Sequence, residues 1–292
     1  MKPIIIATDF SAASLNAASY AADMALVLNL PLIIAHVIEI PSTAFQVPIT
    51  EVEFNSIEDS AKTGLAELQK KLQQRVNGKI DVSTELLYGT VQFELEKFAG
   101  EKKPFALVTG SKVQSGIERF VLGSNVLRLV HHMHYPLLIV PQHVSFKGIR
   151  YISIASDLTN TDDDIPWIGF VKKWLSAFHI SPDIVHIVPD GKEKYDTSAG
   201  VAFLKNSLAA YNPKFHFITD KKTENGLNSF FQSHLADLLI VMPGKHGFFE
   251  SMFTQSISSE VILHTQMPVL SVFQSEQNVL RKMGNRHERR NH

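Results

Sequence analysis

Short apolar runs, rich in β-branched residues, recur along the chain, and each is followed by a stretch of helix length. In the amino-terminal half the runs are 3–8, 31–38, 80–87, 105–109 and 136–140. They are apolar throughout and do not alternate with polar positions, the pattern of strands buried on both faces. Between the first two lies "SAASLNAASYAADMALVLN", where Ala17, Ala21, Met24, Ala25 and Leu28 return at helical spacing and Ser11 is placed to cap the helix. Strand–helix alternation of this kind predicts a parallel sheet with helices on both faces, a doubly wound α/β fold.

The pattern is written twice. "IIIATDFS" (4–11) is matched by "ISIASDLT" (152–159), and "LIIAHVIEIP" (32–41) by "DIVHIVPD" (183–190). "FALVTG" (105–110) is matched by "LLIVMPG" (238–244), and "YPLLIVPQ" (135–142) by "MPVLSVFQ" (267–274). The order is kept, and Ser124 to Pro136 has the same separation as Ser256 to Pro268. The second copy is shorter in its middle, chiefly because "STAFQVPITEVEFNSIED" (42–59) lacks a full equivalent. A tandem duplication is the simplest account. It predicts one domain over 1–142 and a second over 149–275, held close by the short link "PQHVSFKGI" (141–149). The tail 276–292 is basic and polar, offers little to a core, and reads as disordered.

Composition narrows the function. A chain of 292 residues accommodates two such domains, and 45% hydrophobic residues suffice for ordinary cores. Lys+Arg is 28 against Asp+Glu 29, so no overall field favours nucleic acid or an acidic membrane surface. The absence of cysteine excludes disulfides, thiolate nucleophiles and Cys-ligated zinc. "MKPIIIATDFSAAS" is too short in its apolar part for a signal peptide, and no run reaches the length of a membrane span. The expectation is a cytoplasmic protein.

Candidate chemistry sits beyond the carboxyl ends of the strands, where open parallel sheets bind ligands. Asp9 follows the first strand and Val37 closes the second. "GSKVQSGIERFVLGSN" (110–125) follows the fourth and reads as a loop leading into a helix of about ten residues that starts near Ser124. Glycine lets backbone approach an anion, and Gly123-Ser124 stands at a helix start, where unpaired N–H groups favour phosphate. Ser111 and Ser124 can donate hydroxyls, and Lys112 or Arg119 could neutralise charge from the rim. The bland alternative makes Ser124 an N-cap and Gly110 a turn residue, and the residues alone leave both open. No P-loop, no G-x-G-x-x-G after the first strand and no G-x-S-x-G elbow is present.

"IIIATDFS", "IIAHVIE", "VTGSKVQSGIERFVLGSN" and "HYPLLIVP" together resemble the universal stress protein family, over essentially all of the first copy and more weakly over the second. The resemblance implies a five-stranded parallel sheet ordered 3-2-1-4-5 in each domain, with helices on both faces. Some members bind ATP or another adenine nucleotide and others do not; binders carry G-x-x-G, nine residues, then G-[ST]. Here Gly110 matches the first glycine, Gly123 and Ser124 the closing pair, and Gly116 a glycine often found inside the loop. Val113 replaces the second glycine, and its branched side chain disfavours φ > 0 and adds bulk beside the phosphates. Asp9 matches the acidic residue near the adenosine and Val37 the strand-end position against the base. The implied nucleotide set is Ala7, Thr8, Asp9, Val37, Thr109, Gly110, Ser111, Gly123, Ser124 and Asn125, with an accompanying Mg²⁺ left open. The fifth strands of two domains pair in this family, so 136–140 and 268–272 should meet and make the chain an internal pseudo-dimer; association of two chains stays open.

The second copy departs further. Asp157 matches the acidic position, but Met242 and Gln255 stand where the first and closing glycines belong. Gly244 and Gly247 form a G-x-x-G, but only seven residues separate Gly247 from Gln255, and Phe248, Phe249, Met252 and Phe253 fill the loop with apolar bulk. Such a cluster suits packing or a partner more than a ligand. "HHMH" (131–134) reads as a solvated last helical turn in preference to a metal site. His36 and His186 occupy equivalent strand positions and read as hydrogen-bonded structural residues. "TDDD" (161–164) reads as the opening of a helix near Pro166, and "DGKEKYD" (190–196) as a solvated loop. The expected function is an adenine-nucleotide-responsive binding module of stress response, with its site in the first copy. A nucleotide-free interaction protein with both loops vestigial is the alternative, and a slow ATPase ranks third.

Overall fold

The structure, a computed structural model, describes residues 2–39, 50–114, 119–158, 166–189, 196–241, 261–263 and 267–272. The amino-terminal half runs β1 (Ile4–Ala7), α1 (Ala12–Leu28), β2 (Leu32–Glu39), α2 (Glu51–Arg75), β3 (Val82–Gly89), α3 (Val91–Lys102), β4 (Ala106–Gln114), β5 (Arg119–Leu122), α4 (Ser124–His132) and β6 (Leu137–Pro141). The carboxy-terminal half runs β7 (Ile152–Ala155), α5 (Pro166–Phe178), β8 (Asp183–Pro189), α6 (Ser198–Ser207), a 3-10 turn (Ala209–Tyr211), β9 (Lys214–Asp220), α7 (Thr223–Ser233), β10 (Leu238–Val241), β11 (Val261–Leu263) and β12 (Val269–Ser271).

The main strands form one sheet in the order β3-β2-β1-β4-β6-β12-β10-β7-β8-β9. Each half contributes five strands in the 3-2-1-4-5 order, and within a half every neighbour is parallel. The halves join where β6 and β12 pair antiparallel, Leu137 opposite Ser271, Leu138 opposite Leu270 and Ile139 opposite Val269. The carboxyl ends of the two sets of strands therefore point in opposite directions.

Burial on both faces explains the apolar runs of the inner strands; β3 departs from that expectation, since it lies at the sheet edge, is mostly half-buried and carries Ser83, Thr84 and Glu85. Ile4 and Ile6 face one core with Ala17, Ala21 and Met24 of α1 and Leu65, Leu68 and Leu72 of α2. Ile5 faces the other, with Leu95 and Phe98 of α3 and Leu129 and Val130 of α4. Each core continues across the join, the first to Trp167 and Trp174 of α5 and the second to Leu227 and Phe230 of α7. Helix ends follow the local residues. Ser11 caps α1, accepting from the Ser14 amide at 3.3 Å. Thr50 and Glu53 form a reciprocal capping box at the start of α2. The length difference between the copies sits in their second helices, 25 residues in α2 against 10 in α6.

Three sequence expectations need correction or bounding. The stretch from Gly110 is not a loop throughout: β4 continues to Gln114 and β5 folds back on it, pairing Lys112 with Val121, Val113 with Phe120 and Gln114 with Arg119. β2 runs two residues beyond Val37, to Glu39. The spacing shared by Ser124–Pro136 and Ser256–Pro268 hides different structures, since α4 occupies the first interval while the second contains β11, which pairs antiparallel with β5. Gly116, the acidic 161–164 stretch, the segment 190–195, residues 242–256 with their Phe-rich cluster, and the tail 276–292 lie outside the described residues. Among the described residues no helix is long and apolar enough to cross a membrane.

Two helical glycines make the packing testable. A Cβ at Gly200 would lie 1.8 Å from the Leu158 carbonyl oxygen, whereas one at Gly100 would meet nothing within 4 Å. Gly200→Ala is expected to destabilise the protein by about 1–3 kcal/mol, since backbone must shift to admit it. Gly100→Ala should stabilise by about 0.5–1 kcal/mol through helix propensity alone. Urea midpoints of the two variants check the pair.

Candidate functional site

The first copy brings Ala7, Thr8, Asp9, Val37, Thr109, Gly110 and Ser111 to one end of the sheet. β1 ends at Ala7, and Thr8 continues its pairing by donating to the Ala35 carbonyl at 2.9 Å. The chain then turns sharply. Phe10 takes φ 61°, its amide donates to Thr8 Oγ1 at 3.0 Å, and the Ser11 amide donates to Asp9 Oδ1 at 3.0 Å. The Thr8 and Ser14 hydroxyls, both buried, meet at 3.0 Å. His36 Nδ1 donates to the Thr8 carbonyl at 2.8 Å, and its ring lies 4.6 Å from that of Phe10. Asp9 projects from this turn and is exposed. Partial burial of its carboxyl opposes the charge, but hydrogen bonds from Ser11 and Ser14 outweigh that and hold its pKa below the ordinary value of 3.8.

The second copy builds the same turn. Leu158 takes φ 57°, its amide donates to Ser156 Oγ at 3.1 Å, and His186 Nδ1 donates to the Ser156 carbonyl at 2.9 Å. His36 and His186 thus have the structural role expected of them. The acids differ: Asp157 is buried, 9% exposed, while Asp9 is open. Gly200 of α6 presses on Leu158, whereas its topological counterpart α2 reaches only the Phe10 ring, 3.0 Å from where a Gly64 Cβ would stand.

Next to the first turn stands the end of β4. Thr109 and Ser111 are buried, and Ser111 Oγ has no hydrogen-bond partner among the described residues. Gly110 has a packing reason to be glycine. A Cβ there would lie 2.4 Å from the backbone of Ala13, so the first turn of α1 rests directly on the strand. That contact was not read from the sequence, although the small residues Ala12, Ala13 and Ser14 were its signal.

Gly123 differs. Its φ of −63° is open to any residue, and a Cβ would meet nothing within 4 Å. Gly123, not Ser124, is the N-cap of α4, without a side-chain capping bond, and Ser124 is the first helical residue. Gly123 and Ser124 are exposed and Asn125 is half-buried in the same turn. The amide groups of this turn can therefore receive an anion. Val113 lies in β4 opposite Phe120, in extended backbone. Val37 is half-buried on β2. The histidine-rich end of α4 is tied to α3, where the Glu96 carboxylate receives both the Nδ1 and the backbone amide of His134.

The profile of the Universal stress protein family matches residues 1–141. A universal stress protein of Methanocaldococcus jannaschii is 31% identical over 140 residues, which is 48% of this chain and 81% of that protein. The chain belongs to the universal stress protein family. Among solved structures, a universal stress protein from Archaeoglobus fulgidus DSM 4304 superposes with a TM-score of 0.71 at 18% identity, covering 92% of this chain and 97% of that one. A protein of unknown function from Pseudomonas aeruginosa PAO1 gives 0.52 at 13% identity, covering 93% and 92%. At such identities the likeness is one of fold, and it extends over both halves.

The charge on Asp9 has a measurable sign. A carboxyl whose pKa falls on folding contributes stability above its unfolded value, and that contribution is lost as the pH drops through the lower folded value. Asp9→Asn should therefore unfold at lower urea concentration than the parent protein at neutral pH. The difference should shrink as the pH falls below the ordinary 3.8. Urea titrations across that range read both effects.

Proposed function

We propose that the amino-terminal half, residues 1–142, is an adenine-nucleotide-binding domain, and that the half at 149–275 is a structural and partner-binding copy. The observation that carries this reading is the contrast between the two strand-end acids. The turns after β1 and β7 are built alike, yet Asp9 stands open and charged while Asp157 is covered. Family membership supports a role in stress response, and some members bind adenine nucleotides.

In this reading Asp9 orients the adenosine, with Ala7, Thr8 and Val37 lining the strand ends around it. The first turn of α4 holds phosphate through the amides that follow Gly123, with the Ser124 hydroxyl and Asn125 beside it. Ser111, buried and without a described partner, is available to donate from the floor near Thr109 and Gly110. Gly123 is the glycine that packing does not require, as close approach of a ligand would explain. The pairing of β6 with β12 supports reading the chain as an internal pseudo-dimer that needs no second copy to complete its sheet. ATP, ADP and AMP are all candidate ligands, with Mg²⁺ as counter-ion of the longer phosphate chains.

One observation favours the alternative of a nucleotide-free interaction protein. β5, which leads into Gly123, is paired on both sides, with β4 on one and β11 on the other, as a brace more than a cradle. Hydrolysis ranks third, since neither reading assigns a general base to the site.

Calorimetric titration of the full chain with ATP, ADP and AMP, with and without Mg²⁺, separates these readings. Saturable binding is expected for at least one nucleotide. Gly123→Val should weaken it about tenfold or more through lost charge-assisted contacts, and Asp157→Asn should leave it unchanged. Heats no greater than dilution for all three would establish the interaction reading. Turnover above that of the Gly123→Val variant would overturn the low rank of hydrolysis.

A further inference from the structure

The internal repeat makes two seams between the halves, and they are filled differently. Pairing of Ile4 with Ala106 and of Ile152 with Leu238 makes Phe105 and Asp237 counterparts at the foot of equivalent strands. The left-handed caps Asn29 and His179, at φ 51° and 55°, likewise align α1 with α5, so that Tyr20 corresponds to Phe170 and Met24 to Trp174. At the Phe105 seam the Trp174 ring lies 4.9 Å from Phe105, Phe178 lies 5.8 Å from Trp174, and Lys173 Nζ sits 4.9 Å over the Phe105 ring. That seam is closed with aromatic rings.

The Asp237 seam is hollow. A cavity of about 330 Å³ lies there, lined by Tyr20 of α1, by His143, Ser145 and Lys147 of the link, and by Asp237 and Pro268 of the second half. Its volume falls at the lower end of the range of small-molecule sites, so a compact ligand fits.

The walls are held in place. Asn16 Nδ2 donates to the carbonyls of Pro141 at 3.0 Å and Val144 at 2.9 Å, and the Phe146 ring packs edge-on against Tyr20 at 5.1 Å. The link is thus a fixed wall and not a loose tether. Asp237 Oδ2 accepts from the Arg150 amide at 2.8 Å and the Tyr151 amide at 3.1 Å and lies 3.9 Å from Nε of the exposed Arg150 side chain, while Oδ1 takes part in no hydrogen bond among the described residues and keeps its lone pairs for a further donor. Tyr20 is only 3% exposed, and its burial, with the negative charge of Asp237 nearby, raises its pKa and keeps the hydroxyl protonated. His143 and Lys147 are exposed at the mouth.

This lining offers the Asp237 carboxylate together with the exposed Lys147 ammonium and the His143 ring. A lone anion would meet Asp237, and a lone cation would meet Lys147. We propose that the cavity binds a small zwitterion of the amino-acid class, its ammonium on Asp237 and its carboxylate on Lys147 and His143. The site is separate from the nucleotide reading and does not depend on it.

The test is the melting temperature of the full chain in L-serine and in L-glutamine, with acetate and methylammonium as probes carrying one charge each. A saturable rise with at least one amino acid, larger than with either single-charge probe, is expected. Lys147→Gln and Asp237→Asn should each weaken that response about tenfold. Because Asp237 also holds two backbone amides, Ser145→Phe provides a separate arm. It fills the cavity from an exposed position and should abolish the response without lowering the melting temperature of the ligand-free protein. No saturable rise with either amino acid would overturn the proposal. So would equal rises with acetate or methylammonium alone, or a response unchanged in both Lys147→Gln and Ser145→Phe.

Discussion

The antiparallel join of β6 and β12 is the constraint on which the rest depends. Two strands that would each be a sheet edge pair with one another, so neither of these buried strands presents an open edge. Leu137, Leu138, Ile139, Val269 and Leu270 are all buried, and residues on either side of the join feed the same two cores. Since the pairing is antiparallel, it also sets the two halves head to tail. The turn after β1 and the turn after β7 then open at opposite ends of one sheet, and each is free to diverge without disturbing the other.

Much of this was legible because burial on both faces leaves a strong mark. A strand such as Ile4–Ala7 must be apolar at every position, and the repeat of that run at 152–155 located the second half without further argument. The paired histidines were legible for the same reason, since His36 and His186 interrupt otherwise apolar strands and each binds the backbone of the neighbouring turn. The stretch after Thr109 was not. Its glycines and serines carry turn chemistry, and those signals outweighed Val113, Phe120 and Val121, the residues that form the ribbon. Local propensity cannot reveal that β5 has a partner more than a hundred residues away in β11.

The glycines show how two demands can look alike in a sequence. Gly110 and Gly123 fall together in one family motif, yet a Cβ at the first would strike the backbone of Ala13 while one at the second would meet nothing among the described residues. A motif-based reading assigns both to the ligand. Geometry separates them.

The two halves share one plan, and the turns after their first strands have diverged. In the second half the shorter α6 settles onto the end of β7, where the Leu158 carbonyl lies 1.8 Å from the position of a Gly200 Cβ, and the neighbouring Asp157 is buried. In the first half α2 is longer, and the aromatic ring of Phe10 stands between it and the strand end. A ring at that point acts as a spacer where the second half has an aliphatic residue in direct backbone contact with the helix. The identity of one residue after the acidic position, Phe10 or Leu158, thus goes with whether the second helix meets a side-chain ring or the backbone itself.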